Sequence, residues 1–255
     1  MSMPLPPSRF EFPDPRHSAD PDGLVAVGGN LHPSTLLAAY RQGLFPWFNP
    51  GEPILWWSPD PRCIMRPGDF HPSKSLRRRA RSNPYQLSID QAFAEVVRQC
   101  AAPRAYADGT WISADIQQGY QGLHRAGLAH SLEVWEGDEL VGGLYGVQLG
   151  RGFFGESMFS RRSDVSKLAF WLLMQLAVAF EFPLVDCQLP NDHLMSLGAL
   201  TLPRGQFLDQ LQDLLQAAPP DWSALTARRF DARLLAENPA AADLIQAILQ
   251  QAQGT

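Results

Sequence analysis

The segment Leu184-Val185-Asp186-Cys187-Gln188 carries three side chains able to do chemistry, and its pattern predicts a buried strand over 183–188. Strand side chains alternate between faces with period two, so Asp186 and Gln188 share a face and Cys187 points to the other. An acid and an amide side by side at a strand end can hydrogen-bond each other and hold a ligand. The plainer reading is that Asp186 caps a neighbouring loop. Glu156 sits in Phe153-Phe154-Gly155-Glu156-Ser157-Met158-Phe159. A carboxylate in so apolar a run is costly to bury unless it is paired, and an amine substrate would pair it. A cap or sheet-edge position is the plainer alternative. Cys187 beside His193 raises a thiol nucleophile, but the strand phase turns it from Asp186 and no oxyanion motif accompanies it.

A second constellation is electrostatic. Lys74-Ser75-Leu76-Arg77-Arg78-Arg79-Ala80-Arg81 holds five cations and no acid, in a chain whose net charge is −5. Lys74, Arg77, Arg78 and Arg81 fall at i, i+3, i+4 and i+7, one face of a helix. Like charges that close repel unless an anion neutralises them. A phosphate backbone is the natural partner, and a solvated surface face is the competing reading. The acidic balance of the whole chain argues against general nucleic-acid binding, so this stripe implies a focused contact.

Other chemistries find little support. Cys63, Cys100 and Cys187 are odd in number and none pair at metal-site spacing, and the 6 histidines are scattered. No metal and no cofactor are expected, and a reducing cytoplasm fits. The chain has neither a dinucleotide fingerprint nor a phosphate-binding loop. Met1 to Pro15 is proline-rich without the apolar stretch of a leader, and Leu168 to Phe180 is too short to cross a bilayer, so a buried helix is expected there.

These residues need elements to position them. Residues 1–62 hold most of the Gly, Pro and Trp punctuation: Gly28-Gly29-Asn30, a short helix from Pro33 to Gln42 stopped by Gly43, then Phe45-Pro46-Trp47-Phe48 and Trp56-Trp57-Ser58-Pro59-Asp60-Pro61. Such rigid aromatic segments read as a docking surface in a small α/β domain rather than as a strand ladder. Trp47, Trp57 and Trp111 beside Pro and Gly turns could wall a pocket or fill a core. From residue 63 the pattern predicts helices over 73–82, 90–100, 113–127, 164–181 and 205–216. Strands are expected over 61–66, 85–88, 129–136, 139–149, 152–158 and 183–188, with a hairpin through Glu136-Gly137-Asp138. The expected class is a mixed α/β sheet flanked by helices, in domains 1–62 and 63–217, followed by a helical tail over 218–255. In the tail, Asn238-Pro239 reads as a helix start and Leu244, Ile245, Ile248 and Leu249 as its apolar stripe.

Taken in order, these segments resemble one family, the bacterial leucyl/phenylalanyl-tRNA–protein transferases. The resemblance is carried by Gly23 to Gly29, Gly43 to Phe48, Ile54 to Arg62, Gly109-Thr110-Trp111-Ile112, His130 to Trp135 and Leu140 to Val147. It continues through Gly155 to Ser160, Leu184 to Gln188, Asn191-Asp192-His193 and Ser196 to Ala199. It implies a small N-terminal domain and a domain of the GNAT acyltransferase fold. It implies transfer of Leu, Phe or sometimes Met from aminoacyl-tRNA to proteins beginning with Arg or Lys, marking them for degradation as N-degrons. Carried over by position, Glu156, Asp186 and Gln188 are catalytic. Trp47, Trp111, Tyr40, Tyr120, Leu144 and Phe153 fall where the aminoacyl-adenosine end is held, and Lys74, Arg78 and Arg81 where the tRNA acceptor stem is contacted. Phe170, Leu173 and Ala177 belong to the pocket helix, and a small Ala177 would alter the preference among Leu, Phe and Met. A monomer without membrane contact is expected. The stretch beyond about 217 departs from the family pattern.

Two rivals remain. An acetyltransferase using acetyl-CoA would share the implied fold, but Arg161-Arg162-Ser163-Asp164-Val165-Ser166 lacks the glycines that let backbone amides hold a pyrophosphate. A non-catalytic tRNA-binding protein would need the basic stripe and not the acid–amide pair.

Overall fold

Short runs of aromatic and proline residues in the first 62 residues pair as strands. The computed structural model describes residues 5–82, 84–102, 110–238, 240 and 243–248. In it β1 (Leu24–Val27), β3 (Leu55–Trp57) and β2 (Phe45–Pro46) form an antiparallel sheet in that order. A strand ladder therefore stands where the sequence reading expected only a docking surface. Backbone groups that turns leave unpaired have to be satisfied somewhere, and here the ladder does it. Helix α1 (Pro33–Arg41) opens with Pro in its first turn, and the His32 ring caps it by accepting from the Ser34 N–H. Gly43 (φ +76°) ends it, and a Cβ there would run into Leu208.

The rest of the chain is organised by an eight-stranded mixed sheet. Its strands are β4 (Arg62–Met65), β5 (Tyr85–Ile89), β6 (Ala129–Glu136), β7 (Glu139–Leu149), β8 (Gly152–Ser160), β9 (Leu184–Gln188), β10 (Leu200–Leu202) and β11 (Phe230–Asp231). The order is β10-β4-β9-β8-β7-β6-β5-β11, antiparallel throughout except for β8 beside β9. The remaining helices are α2 (Lys74–Ser82), α3 (Phe93–Cys100), α4 (Ala114–Arg125), α5 (Val165–Ala179), α6 (Asp192–Ser196), α7 (Arg204–Gln216) and α8 (Arg233–Glu237). The chain is of the mixed α/β class. The hairpin through Gly137 forms as expected, with Glu136 opposite Glu139.

Alternation within the strands gives the sheet two apolar faces. One packs α2, α5 and the C-terminal segment against Leu132, Val134, Leu144, Phe153 and Val185. The other packs α1, α3, α4 and α7 against Tyr145, Val147, Phe154 and Leu184, and takes in Phe45 and Trp56 of the N-terminal region. Helix α5 is apolar nearly all round because it is buried nearly all round. None of the described helices is long and apolar enough to cross a membrane.

The C-terminal segment is not helical throughout. Trp222 and Leu225 are buried, β11 adds to β5 with Phe230 opposite Leu87, and α8 packs beside α2. A helical turn over 243–248 places Leu244 and Ile248 in the first core. The expected helix start at Pro239 and the stripe residue Leu249 lie outside the described residues.

Candidate active site

The sheet splits where the two segments carrying Glu156 and Gln188 meet. Strands β8 and β9 pair in parallel from Gly152 opposite Leu184 to Phe154 opposite Asp186 and then separate. Strand β8 continues to Ser160 along β7, whereas β9 ends at Gln188. The wedge between them opens into a cleft of about 1060 Å³, walled by Trp111, Leu144, Phe170, Leu173, Glu156 and Gln188 among others.

Each of these segments carries a bulge, which inserts one residue and re-aims its neighbours. Between β7 and β8, Tyr145 pairs with Ser157 and Gly146 with Gly155, so Glu156 is the extra residue. Gly146 is required there, because a Cβ would meet the Phe154 carbonyl at 2.3 Å. Between β4 and β9, Ile64 pairs with Asp186 and Cys63 with Gln188, so Cys187 is the extra residue. Gln188 has a left-handed backbone, φ +62°.

The regular alternation expected for 184–188 therefore fails at its end. The Gln188 side chain does not bond Asp186. Its backbone N–H donates to Asp186 Oδ1 at 2.9 Å, and its side-chain Nε2 donates to Glu156 Oε1 at 2.7 Å. Cys187 lines the cleft with Gln188 rather than facing away from it. Contact with Cys63 and burial push the Cys187 thiol up, which disfavours the thiolate a nucleophile needs.

Asp186 is fully buried and is held by both oxygens. Arg62 Nε donates to Oδ1 at 2.8 Å and Arg62 Nη2 to Oδ2 at 2.6 Å. An aspartate so engaged is not free to receive an ammonium directly. Arg62 is the partner of Asp186, and no pattern in the sequence singles it out. A fully buried arginine is rarely left without a partner, and here Asp186 supplies it.

Glu156 is half-buried and accepts from Tyr40 at 2.5 Å and Tyr120 at 2.6 Å, whose hydroxyls lie 2.6 Å apart. Burial pushes its carboxyl up to about 7, against the donors Tyr120, Tyr40 and Gln188, which lower it. Counting hydrogens explains the state this favours. The ring formed by the carboxyl and two phenols has three oxygen–oxygen edges, and the phenols supply only two hydrogens. A proton on Glu156 supplies the third. Burial and the Glu156 charge raise both Tyr40 and Tyr120, so the phenols keep their own protons.

A family model described as leucyl/phenylalanyl-tRNA protein transferase matches residues 64–212, and one for the N-terminal domain of that family matches residues 29–60. The chain belongs to the leucyl/phenylalanyl-tRNA–protein transferase family. Proteins of that name from Psychrobacter arcticus and Ectopseudomonas mendocina are 51% and 50% identical to it. The first match covers 89% of this chain and 87% of the relative, the second 84% and 96%. The Hahella chejuensis relative is 54% identical over 79% of this chain and 86% of its own. The chain is an enzyme of this aminoacyltransferase class.

In this transferase the expected pocket residues divide. Trp111, Leu144, Phe170 and Leu173 line the cleft. Tyr40 and Tyr120 stand behind Glu156 as its donors. Phe153 and Ala177 are fully buried in the core and are not among the cleft-lining residues, so Ala177 does not shape the cleft wall. Trp47 also lies apart from it, 46% exposed and packed edge-on against Trp57. On α2, Lys74, Arg78 and Arg81 are exposed as a stripe should be. Arg77 is not part of that face: it is half-buried, bonds the Pro72 carbonyl and lies over Trp171. Among the described residues no cluster of His, Cys, Asp or Glu could hold a metal ion.

Proposed function

We propose that this transferase moves Leu or Phe, and also Met, from aminoacyl-tRNA to the N-terminal Arg or Lys of proteins, forming a peptide bond that creates an N-degron. In this reading residues 63–217 act as a GNAT-like catalytic domain in the cytoplasm, with the 1–62 domain and the 218–255 segment attached, and the chain acts as a monomer. Lys74, Arg78 and Arg81 hold the acceptor stem. The observation that carries the reading is the Glu156–Gln188 hydrogen bond in a cleft with an apolar wall of Leu144, Phe170 and Leu173.

The donor is an ester on the terminal ribose. That bond is already activated, so positioning supplies much of the acceleration. The nucleophile is a peptide α-amine with a pKa near 8, of which roughly a tenth is neutral at pH 7. The amine attacks the carbonyl carbon, the C–N bond forms, and the ribose oxygen leaves. Gln188, with Nε2 committed to Glu156, offers its Oε1 to an amine N–H. Glu156 takes the proton released on nitrogen, which closes the hydrogen-bonded ring with Tyr40 and Tyr120, and returns it to the departing ribose oxygen. The apolar wall of Leu144, Phe170 and Leu173 rejects polar side chains but separates Leu, Phe and Met poorly, since one methylene is worth only about 1–3 kcal/mol.

A transfer assay tests this. The protein is mixed with Leu-tRNA and a peptide beginning with Arg, beside a matched Ala peptide and a matched reaction holding acetyl-CoA instead of tRNA. Gain of one leucine on the Arg peptide alone is expected. An acetylated product, or tRNA binding without turnover, would replace the reading with one of its rivals.

A further inference from the structure

We propose that Arg62 is a positioning residue for the transfer reaction: acting through Asp186, it sets the backbone turn that aims Gln188 at Glu156. The inference rests on the reading above, in which Gln188 and Glu156 handle the amine.

Arg62 is the first residue of β4 and is fully buried. Its donors go to three places. Two form the fork on Asp186, and Nη1 donates to the Gly43 carbonyl at 3.0 Å. Its flat faces are covered by Phe45 and Phe207, 5.0 and 4.5 Å from the guanidinium carbon. The N-terminal region, β4, β9 and α7 therefore converge on one planar cation.

A buried ion pair is a poor device for stability, because desolvation offsets most of the attraction. What a forked pair supplies is geometry: both carboxylate oxygens are fixed, which a lysine could not do. Oδ1 of that fixed carboxylate is the acceptor for the Gln188 N–H. The bond spans two residues, closes around Cys187 and ends on the N–H of the left-handed Gln188, a conformation that a non-glycine residue keeps only when its surroundings impose it. The bulge at Cys187 lies inside the same turn. In a regular strand the Gln188 side chain would follow that of Asp186 into the buried face. The turn sends it across the wedge to Glu156 instead. With both oxygens held, Asp186 reaches the reaction only through Gln188.

The test is a non-additivity measurement. Arg62→Lys and Phe207→Leu are each made in the native protein and in Gln188→Ala. Single-turnover transfer of Leu to an Arg-starting peptide is measured with saturating enzyme, beside tRNA affinity. Arg62→Lys is expected to slow transfer on the order of 100-fold, the scale of a 1 Å misplacement. Its tRNA affinity should hold, and in the Gln188→Ala background the further loss should stay within about 2-fold. Phe207→Leu leaves the ion pair but uncovers one guanidinium face, and should give a smaller loss of the same non-additive kind. Equal losses in both backgrounds, or a parallel loss of tRNA binding, would overturn the proposal. If Arg62→Lys does not fold, Phe207→Leu decides: no effect, or an additive one, overturns it. Gln188→Ala at the native rate would instead sink the catalytic reading on which the proposal rests, a result distinct from additivity.

Discussion

Glu156 on β8 and Glu133 on β6 are two carboxylates in one sheet, with β7 between them, and burial pushes both up to about 7. Both accept several hydrogen bonds. Around Glu133 the donors are the Ser88 and Ser131 hydroxyls and the Ala92 N–H, and Ser88 in turn accepts from the Trp135 indole. Ala92 is the residue just before α3, so Glu133 satisfies an amide at a helix start, where a negative charge is welcome. Glu133 is sealed, with no exposed surface, whereas Glu156 lines the cleft. A displaced pKa therefore does not identify a reactive group. What separates the two is position: Glu156 stands on a bulge where two parallel strands part, beside phenols with which it can share a proton.

The largest expected contrast is in rate. Glu156→Gln should lower kcat by about 100-fold or more, the range of a lost acid–base group, whereas Glu133→Gln should leave kcat nearly unchanged. Rapid-quench transfer assays decide it, and a comparable rate loss in Glu133→Gln would erase the distinction. In the native protein kcat should rise as Glu156 ionises near pH 7, and that limb should vanish in Glu156→Gln.

Stability should show the reverse contrast. Glu133→Gln places an amide before three donors and should cost about 1–3 kcal/mol by denaturant titration. The linkage has a definite sign. Each folded carboxyl titrates near 7 against an ordinary value of 4.5, so the folded protein holds protons that the unfolded chain releases between those values. Their contribution is complete below about pH 4.5 and is lost as pH rises through 7. Unfolding midpoints at pH 5 and pH 8 should differ less in Glu133→Gln than in the native protein.

A smaller effect is expected at the phenols. Tyr40→Phe removes a donor that lowers the Glu156 carboxyl, so the rising limb of the rate profile should move to higher pH; a shift to lower pH would show instead that the phenol favours the protonated carboxyl through the ring. The smallest effect lies away from both glutamates. Arg78→Ala should weaken tRNA binding without changing kcat and reduce the dependence of log affinity on log salt by about one.

Much of this was legible in the sequence for periodic reasons. The hairpin β6–β7, the buried α5 and the basic α2 follow directly from alternation, apolar length and charge spacing. The candidate site was legible as residue types: Glu156 stood out as a carboxylate in an apolar run, and Asp186 with Gln188 as an acid–amide pair. Their connections were not legible, because both lie at bulges, and one inserted residue breaks the period on which strand reasoning depends. Arg62 and Asp186 are far apart along the chain, and no local pattern joins them. The small N-terminal sheet was missed because two- and three-residue strands carry no period to read. Strand β11 was missed for the same reason.

Those very short strands have a consequence for association. The eight-stranded sheet ends in β10, three residues, on one side and in β11, two residues, on the other. An exposed strand edge is a template on which another chain can add, and short terminal strands blunt it. β11 covers Leu87 and Gln86 of β5, a strand rich in apolar residues. Removing the chain beyond 217 would uncover that edge, and self-association through exposed backbone, rather than loss of catalytic groups, would be the first failure of the shortened protein.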